Sequence, residues 1–187
     1  MDRVSTLSFW SMVGIAGIAS TPALAAIGDV ILAPPVAHPV SSVTIGVTIA
    51  DIDADGALDV ITADSQDISL LVNGGDGTFA APVHLDIGGG DPRLALVGDL
   101  DGDGNADMVT SVRSGNGTIA VLLATAPGVF APAVQYGAEA FSFVPAMDDF
   151  DGDGDLDVAV VLGTSVRVLF NAGNGTFPES TDYGVFD

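Results

Sequence analysis

The sequence predicts an all-β fold assembled from tandem copies of one unit of about 50 residues. Three observations predict it: a composition that favours strands and turns, short β-branched runs bounded by glycine and aspartate, and an acidic segment that recurs. The 187-residue chain has 24 glycines, no lysine and 25 acidic residues, of which all but Glu139 and Glu179 are aspartates. Because charged residues that favour helices are nearly missing, strands joined by turns are expected.

The first element, residues 1–26, is predicted to be a secretory signal peptide. Arg3 gives a positive start, residues 7–18 form an apolar run, and Ala23-Leu24-Ala25 has the small-residue pattern of a cleavage site. An uncleaved anchor is the alternative, although the run is shorter than the roughly 20 residues that span a bilayer. We therefore expect a secreted or cell-surface protein with no membrane span after signal removal. The chain has no cysteine, which excludes disulfides and thiolate metal sites.

Residues 27–187 contain the repeat. The acidic segments begin at Asp51, Asp99 and Asp149, which are 48 and 50 residues apart. Two other landmarks keep the same phase: an apolar-Ala-Pro element at residues 32–34, 79–82 and 130–132, and an Asn-x-Gly-x-Gly-Thr-Phe turn at residues 73–79 and 171–177. These landmarks predict repeats at about 28–76, 77–127 and 128–175, with the start of a further unit at 176–187.

Short strands are predicted between these landmarks, at Leu58–Ala63, Ile68–Asn73, Thr78–Leu85, Leu94–Leu100, Leu156–Leu162 and Ser165–Asn171. Four short strands in about 50 residues are typical of a blade of a β-propeller. The predicted fold is therefore three tandem four-stranded blades. Because closed propellers have about 4–8 blades, the ring would be incomplete. We expect a longer parent chain or, less favoured, self-association of copies to complete it.

Each acidic segment has the pattern of a calcium loop. Calcium takes about 6–8 oxygen ligands, and carboxylates that alternate with small residues converge when a glycine turns the loop at position 6. That glycine is Gly56, Gly104 or Gly154. Positions 1, 3, 5, 7 and 9 are the predicted ligands of about three Ca²⁺ ions, with position 7 offering a backbone carbonyl. They are Asp51, Asp53, Asp55, Ala57 and Asp59; Asp99, Asp101, Asp103, Asn105 and Asp107; and Asp149, Asp151, Asp153, Asp155 and Asp157.

Electrostatic repulsion favours a bound ion over the alternative of a solvated acidic turn. Two carboxylates about 5 Å apart repel by roughly 3 kcal/mol at an effective dielectric constant of 20. Magnesium is disfavoured because it demands octahedral geometry and retains its waters. An EF-hand is excluded, since Thr62, Thr110 and Val160 stand where that loop has a bidentate glutamate.

The charge and the motifs also exclude several functions. A formal net charge of −21 leaves no basic patch for nucleic acid. The sequence has neither a Gly-x-Ser-x-Gly elbow nor a phosphate-binding loop. The two histidines, His38 and His84, are each expected on an exposed strand. The chain is therefore predicted not to be an enzyme.

Taken together, the acidic loop, the Phe-Ala-Pro element and the Asn-x-Gly-x-Gly-Thr-Phe turn resemble FG-GAP/VCBS repeats, the blades of integrin-like β-propellers, from about Val30 to Phe177. The resemblance implies a calcium ion in an inter-strand loop of each blade. It also implies extracellular interaction, such as cell adhesion or the binding of a glycan or protein. Two alternatives remain: an accessory portion of a secreted polysaccharide-degrading or other hydrolytic enzyme, and a structural surface-protein spacer.

Overall fold

The computed structural model describes residues 37, 40, 43–113, 117–137 and 144–184, and the backbone alone of 25–27 and 30–32. The chain divides into two compact units, Met1–Ala37 and His38–Asp187. In the first unit, β1 (Ala25–Ile27) pairs with β2 (Val30–Leu32) in an antiparallel hairpin. The predicted signal peptide lies outside the described residues except for Ala25 and Ala26, which belong to β1.

The second unit begins with two four-stranded antiparallel sheets. The first has the order β3 (Thr44–Ala50), β4 (Asp59–Asp64), β5 (Ile68–Leu71) and β6 (Val83–Leu85). The second contains β7 (Asp91–Gly98), β8 (Asp107–Arg113) and β9 (Thr118–Leu122). A hairpin of β10 (Ala124–Ala126) and β11 (Val129–Phe130) follows, and β12 (Val134–Gly137) then completes the second sheet beside β9.

The third sheet has the same antiparallel arrangement, in the order β13 (Ala146–Asp148), β14 (Asp157–Leu162), β15 (Ser165–Phe170) and β16 (Glu179–Gly184). The described residues contain no helix, and all three sheets are open rather than closed. The prediction of an all-β fold with tandem four-stranded propeller blades is therefore confirmed. No helix in the described part of the chain is long and apolar enough to cross a membrane.

The bounds of the sheets differ from those of the predicted repeats. The sheets cover residues 44–85, 91–137 and 146–184. The Asn-x-Gly-x-Gly-Thr-Phe turn connects the third strand of a sheet to the fourth, so bounds placed at that turn separate the fourth strand from its own sheet. The segment expected to begin a further blade instead completes the third one, because Glu179–Gly184 pairs with all six residues of β15.

One predicted strand is shorter than expected. Within residues 78–85 only β6 (Val83–Leu85) pairs with β5, while Phe79 makes an isolated bridge to Asn73. Pro82 lies immediately before β6 and has no N–H to donate to a ladder.

The core consists of two apolar layers, one on each face of the second sheet. Because side chains alternate across a strand, Met108 and Val112 of β8 face the first sheet, whereas Val109 faces the third. The neighbouring strand β9 shows the same alternation: Leu122 faces the first sheet and Val121 faces the third. Burial on both faces explains why six consecutive residues of β8 are buried, where a strand with one face in solvent would have only every second residue buried.

The first strands of the first two sheets approach each other closely. The Thr48 hydroxyl donates a 2.6 Å hydrogen bond to the carbonyl oxygen of Ala95, which joins β3 to β7. Gly46 lies where a Cβ atom would overlap the carbonyl oxygen of Arg93. A residue without a side chain is therefore required at this position of β3.

Replacing Gly46 by alanine is expected to destabilise the protein, because backbone atoms cannot move aside as a flexible side chain can. We expect a loss of about 1–3 kcal/mol, the usual range for overpacking, measured by thermal and denaturant unfolding. Gly137→Ala is the matched control, since nothing lies within 4 Å of a Cβ atom added there. Equal stability of the two variants would contradict the close approach of β3 and β7.

Candidate metal centres

Each acidic loop connects the first strand of its sheet to the second. The loops turn at position 6, where Gly56, Gly104 and Gly154 have φ values of 90°, 86° and 98°. These values lie in the left-handed region, which favours glycine. Position 4 is also left-handed, with Ala54 at φ 59° in the first loop and glycines at the two equivalent positions. An alanine in this conformation costs about 1 kcal/mol, so the first loop is the most strained.

The structure brings three carboxylates of each loop together, from positions 1, 3 and 9. Their nearest oxygens all lie within 4.8 Å of one another. The three groups are Asp51, Asp53 and Asp59; Asp99, Asp101 and Asp107; and Asp149, Asp151 and Asp157. Three convergent carboxylates are the hard oxygen donors that a divalent cation prefers.

The ninth-position aspartate of each loop is completely buried and ties two segments together. One oxygen of Asp107 accepts a 2.8 Å hydrogen bond from the N–H of Leu100, at position 2 of its loop. The other accepts a 2.6 Å bond from the N–H of Ala124, just beyond the third strand. Asp59 and Asp157 make the same pair of bonds. The sequence predicted these residues as ligands, but their role as backbone clamps appears only in the structure.

The first-position aspartate shapes the rest of the loop. In the second loop, Asp99 accepts hydrogen bonds from the N–H groups of Gly102 and Gly104, at 2.8 and 3.0 Å. In the third loop, Asp149 accepts the corresponding bonds from Gly152 and Gly154. Hydrogen bonds therefore hold the glycine turn around the first carboxylate.

Positions 5 and 7 are not part of the three-carboxylate groups. At position 5, one oxygen each of Asp55, Asp103 and Asp153 accepts the N–H of the residue two positions later, at 2.7–2.9 Å. Those donors are the position-7 residues Ala57, Asn105 and Asp155. In the second loop, the other oxygen of Asp103 accepts the amide of Asn105 as well. A metal-binding role for positions 5 and 7 stays a prediction.

Three of the clustered carboxyls have perturbed acidity. Desolvation raises the pKa of Asp53, and the charges of Asp55, Asp59 and Asp51 raise it further. Asp151 has a raised pKa for the same reasons, desolvation first and then its acidic neighbours. Burial raises the pKa of Asp107 against the opposing effect of its two backbone donors. Desolvation, together with the neighbouring negative charges, therefore disfavours the ionised form of these carboxyls, which a nearby cation would favour.

Each of the first two loops also accepts a hydrogen bond from the segment between the third and fourth strands of the next sheet. The N–H of Gly128 donates a 2.8 Å bond to the carbonyl of Ile52, and that of Gly175 donates a 2.9 Å bond to the carbonyl of Leu100. Ile52 and Leu100 both occupy position 2 of their loops. The Leu100 carbonyl also accepts the side-chain amide of Asn171, at 2.8 Å. Sequence reasoning missed this link between sheets, although the repeated turn was a signal for it.

A fourth group, Asp64, Asp67 and His84, also lies within 4.8 Å. The Ser69 hydroxyl lies between two of its members, donating to Asp64 at 2.6 Å and lying 2.9 Å from Nδ1 of His84. Asp64 is buried and accepts the Thr44 hydroxyl with its other oxygen. Because these hydrogen bonds already satisfy Asp64, the group is explained without a metal ion. No sequence motif pointed to it.

A cavity of about 490 Å³ lies between the first two sheets. His84, Leu85 and Asp86 line it from the first sheet and the loop that follows it, while Leu122 and the segment 130–133 line it from the second. It combines apolar walls, including Phe130, with two titratable side chains. Apolar walls with a few polar groups are typical of small-molecule sites.

Comparison with known proteins identifies the repeats. A family model described as FG-GAP-like repeat matches residues 51–110, 99–160 and 149–186. A solved structure of an Agrocybe aegerita lectin, described as recognising non-reducing terminal N-acetylglucosamine, is 28% identical with a TM-score of 0.53. The match covers 71% of this chain and 36% of the lectin, so this chain spans about a third of its length.

A second similar structure is the Tc holotoxin pore of Photorhabdus luminescens. It is 20% identical with a TM-score of 0.45, and the match covers 74% of this chain and 7% of that one. No curated protein matches the chain.

Asp107→Asn is expected to destabilise the metal-free protein, because an amide has only one oxygen to accept the two buried N–H groups. We expect a loss of about 1–3 kcal/mol in chelator, the cost of an unsatisfied buried donor. Asp101→Asn is the comparison variant, since among the described residues Asp101 accepts a hydrogen bond only from the exposed N–H of Asp103. A change within about 0.5 kcal/mol is expected. Denaturant unfolding measures both, and equal losses would contradict the clamp role.

Proposed function

Because the chain belongs to the FG-GAP-like repeat family, we propose that it is a calcium-stabilised binding module that acts outside the cell and catalyses no reaction. The single observation that carries the calcium part is the threefold recurrence of one carboxylate group, at positions 1, 3 and 9 of each loop. An active site is unique in a chain, whereas a structural ion site repeats with the fold. The threefold recurrence therefore favours metal binding over catalysis.

The donor set fits calcium. Each loop supplies only oxygen ligands, with no sulfur, and no histidine lies in any of the three groups. Positions 5 and 7 would add a carboxylate and a backbone carbonyl, which brings the number of ligands toward the 6–8 that calcium takes. The raised pKa values of Asp53, Asp107 and Asp151 mean that binding displaces protons and weakens as pH falls through those values.

The ions would stabilise the joints between blades as well as the loops. Position 2 of the first loop accepts a hydrogen bond from the second sheet, and position 2 of the second loop accepts one from the third. An ion that orders a loop therefore also fixes a contact between sheets. An ion that binds only the folded state raises stability by about 2.7 kcal/mol at a concentration of 100 Kd.

For the binding partner we propose a glycan with a terminal sugar. The cavity between the first two sheets supports this, since Phe130 offers an aromatic surface to a sugar ring and His84 and Asp86 offer hydrogen bonds. The similarity to a lectin that recognises terminal N-acetylglucosamine supports it too. Export is supported by the signal-like residues 1–26, which would place the module in the secreted or cell-surface setting where glycans and calcium are found.

Calcium titration by calorimetry is expected to give about three sites, because three loops carry the same group. Asp101→Asn should leave two sites, since it removes a carboxylate from one group. Asp103→Asn tests separately whether position 5 binds the ion. If this variant binds only two calcium ions, Asp103 is a ligand. Three sites in the Asp101 variant would contradict the assignment.

Asp76→Asn is the matched control for this titration. It removes one negative charge from a turn outside the loops, and Asn174 already occupies the equivalent position of the third repeat. Both side chains accept hydrogen bonds from the backbone N–H and the hydroxyl of the threonine two residues later, Thr78 or Thr176. The control should therefore retain three sites and an unchanged melting temperature.

An oligosaccharide that ends in N-acetylglucosamine is expected to bind in calcium, and His84→Ala should weaken that binding at least tenfold by removing a polar contact in the cavity. Glu179→Ala, on an exposed strand of the third sheet, is the control. Calorimetry with a galactose-terminated oligosaccharide tests selectivity. Equal affinity of the two variants would exclude the cavity as the site, without affecting the count of calcium ions.

A further inference from the structure

The two internal joints between sheets follow one pattern. In the second and third sheets, the residue two positions before the acidic loop faces the preceding sheet; these residues are Val97 and Met147, and each packs into the apolar layer there. The residue just before the ninth-position aspartate, Ala106 or Leu156, does the same. The second and third sheets therefore each have a face, here called the leading face, that packs against the sheet before it.

The leading face of the first sheet is exposed among the described residues. We define it by Ile49 and Leu58, the positional counterparts of the half-buried residues just described, together with Val47, which lies on the same face of β3 as Ile49. Their exposed fractions are 59%, 61% and 60%. By contrast, Ala95, the counterpart of Val47 in the second sheet, is only 2% exposed.

The third sheet has the opposite exposed face. We define its trailing face by Phe150, Ala159 and Val161. The counterparts of Phe150 are Ile52 and Leu100, which are 1% and 2% exposed, whereas Phe150 is 47% exposed. Val161 is 39% exposed, while its counterpart Ala63 in the first sheet is 1% exposed. The chain thus carries both halves of one further joint of the same kind.

The hydrogen-bonding groups of that joint are present too. At the internal joints, Gly128 and Gly175 donate to the position-2 carbonyl of the preceding loop. Gly77 is their counterpart in the first sheet, on an exposed turn, and none of the described residues accepts its N–H. Phe150 is the position-2 residue of the third loop, and its carbonyl has no donor among the described residues. The donor therefore lies in a turn of the first sheet, and the acceptor lies in the acidic loop of the third sheet.

We propose that a second copy of this chain binds head to tail, with the leading face of one copy on the trailing face of the other. Two copies related by a twofold axis make this contact twice and give a ring of six blades, within the range of about 4–8 found in closed propellers. The N–H of Gly77 in one copy then donates to the carbonyl of Phe150 in the other. Self-association of this kind does not depend on calcium or glycan binding, because it requires only that the contact seen twice between neighbouring sheets within the chain also forms between two copies.

The first experiment measures the mass of the full chain by sedimentation velocity and light scattering at micromolar concentrations in calcium-containing buffer. We expect a single species of twice the 18.7 kDa chain mass. A monomer at all concentrations would overturn the proposal. Masses that keep growing with concentration would overturn the closed ring, because an open head-to-tail contact forms a filament.

Variants test which faces meet. Val47→Glu places a charge on the leading face and Val161→Glu places one on the trailing face, and each is expected to weaken self-association at least tenfold. Val134→Glu is the matched control, because Val134 is 52% exposed on the outer strand of the second sheet, both of whose faces are covered. If only one of the two variants weakened association, the dimer would use the same face of both copies, and the head-to-tail proposal would fail.

Mixing the two variants gives the decisive result. In the mixture, the intact trailing face of the Val47→Glu chain meets the intact leading face of the Val161→Glu chain, so one normal contact forms. We expect the mixture to recover a dimer that neither variant forms alone, which also shows that both variants are folded. Absence of recovery, with circular dichroism spectra like that of the unchanged chain, would overturn the proposal.

Discussion

The buried aspartate at the ninth position of each acidic loop is the interaction on which the rest of the structure depends. Its two oxygens accept one N–H from the start of the loop and one from the residue beyond the third strand, as Asp157 does with Phe150 and Asn171. A single side chain thereby joins the loop between strands one and two to the turn between strands three and four. Removing a partner from such a buried pair leaves an unsatisfied donor, so this clamp is a strong constraint on the fold.

The same clamp creates the electrostatic problem that a cation would solve. Two hydrogen bonds hold the buried aspartate in place, as at Asp157, and the carboxylates at positions 1 and 3 lie within 4.8 Å of it, in a chain with a formal charge of −21. Desolvation and mutual repulsion raise the pKa of Asp53 and Asp151. The geometry that satisfies backbone hydrogen bonds is thus also the geometry that concentrates negative charge in three places.

The sheets share one way of joining. A glycine turn of one sheet donates to the loop of the sheet before it, and apolar side chains fill the space between, as Phe177 does beside Tyr136 with ring centroids 5.4 Å apart. The second sheet is covered on both faces and has the most continuously buried strand, Asp107–Arg113. Among the described residues, the first and third sheets each present one exposed apolar face.

The sequence determined the repeat, the all-β class and the residues of the acidic loops, because Asp51, Asp99 and Asp149 begin local patterns whose spacing does not depend on distant contacts. It also predicted β4, β5, β14 and β15 to within two residues, since their apolar runs are bounded by glycine and aspartate. Only the tertiary structure decided where one sheet ends and the next begins, because strand pairing such as that of Glu179–Gly184 with β15 is a non-local choice. It alone separated positions 1, 3 and 9 from positions 5 and 7, and it alone brought Gly128 to Ile52, because a repeated turn shows where a glycine lies in the chain but not which residue of another sheet accepts its N–H.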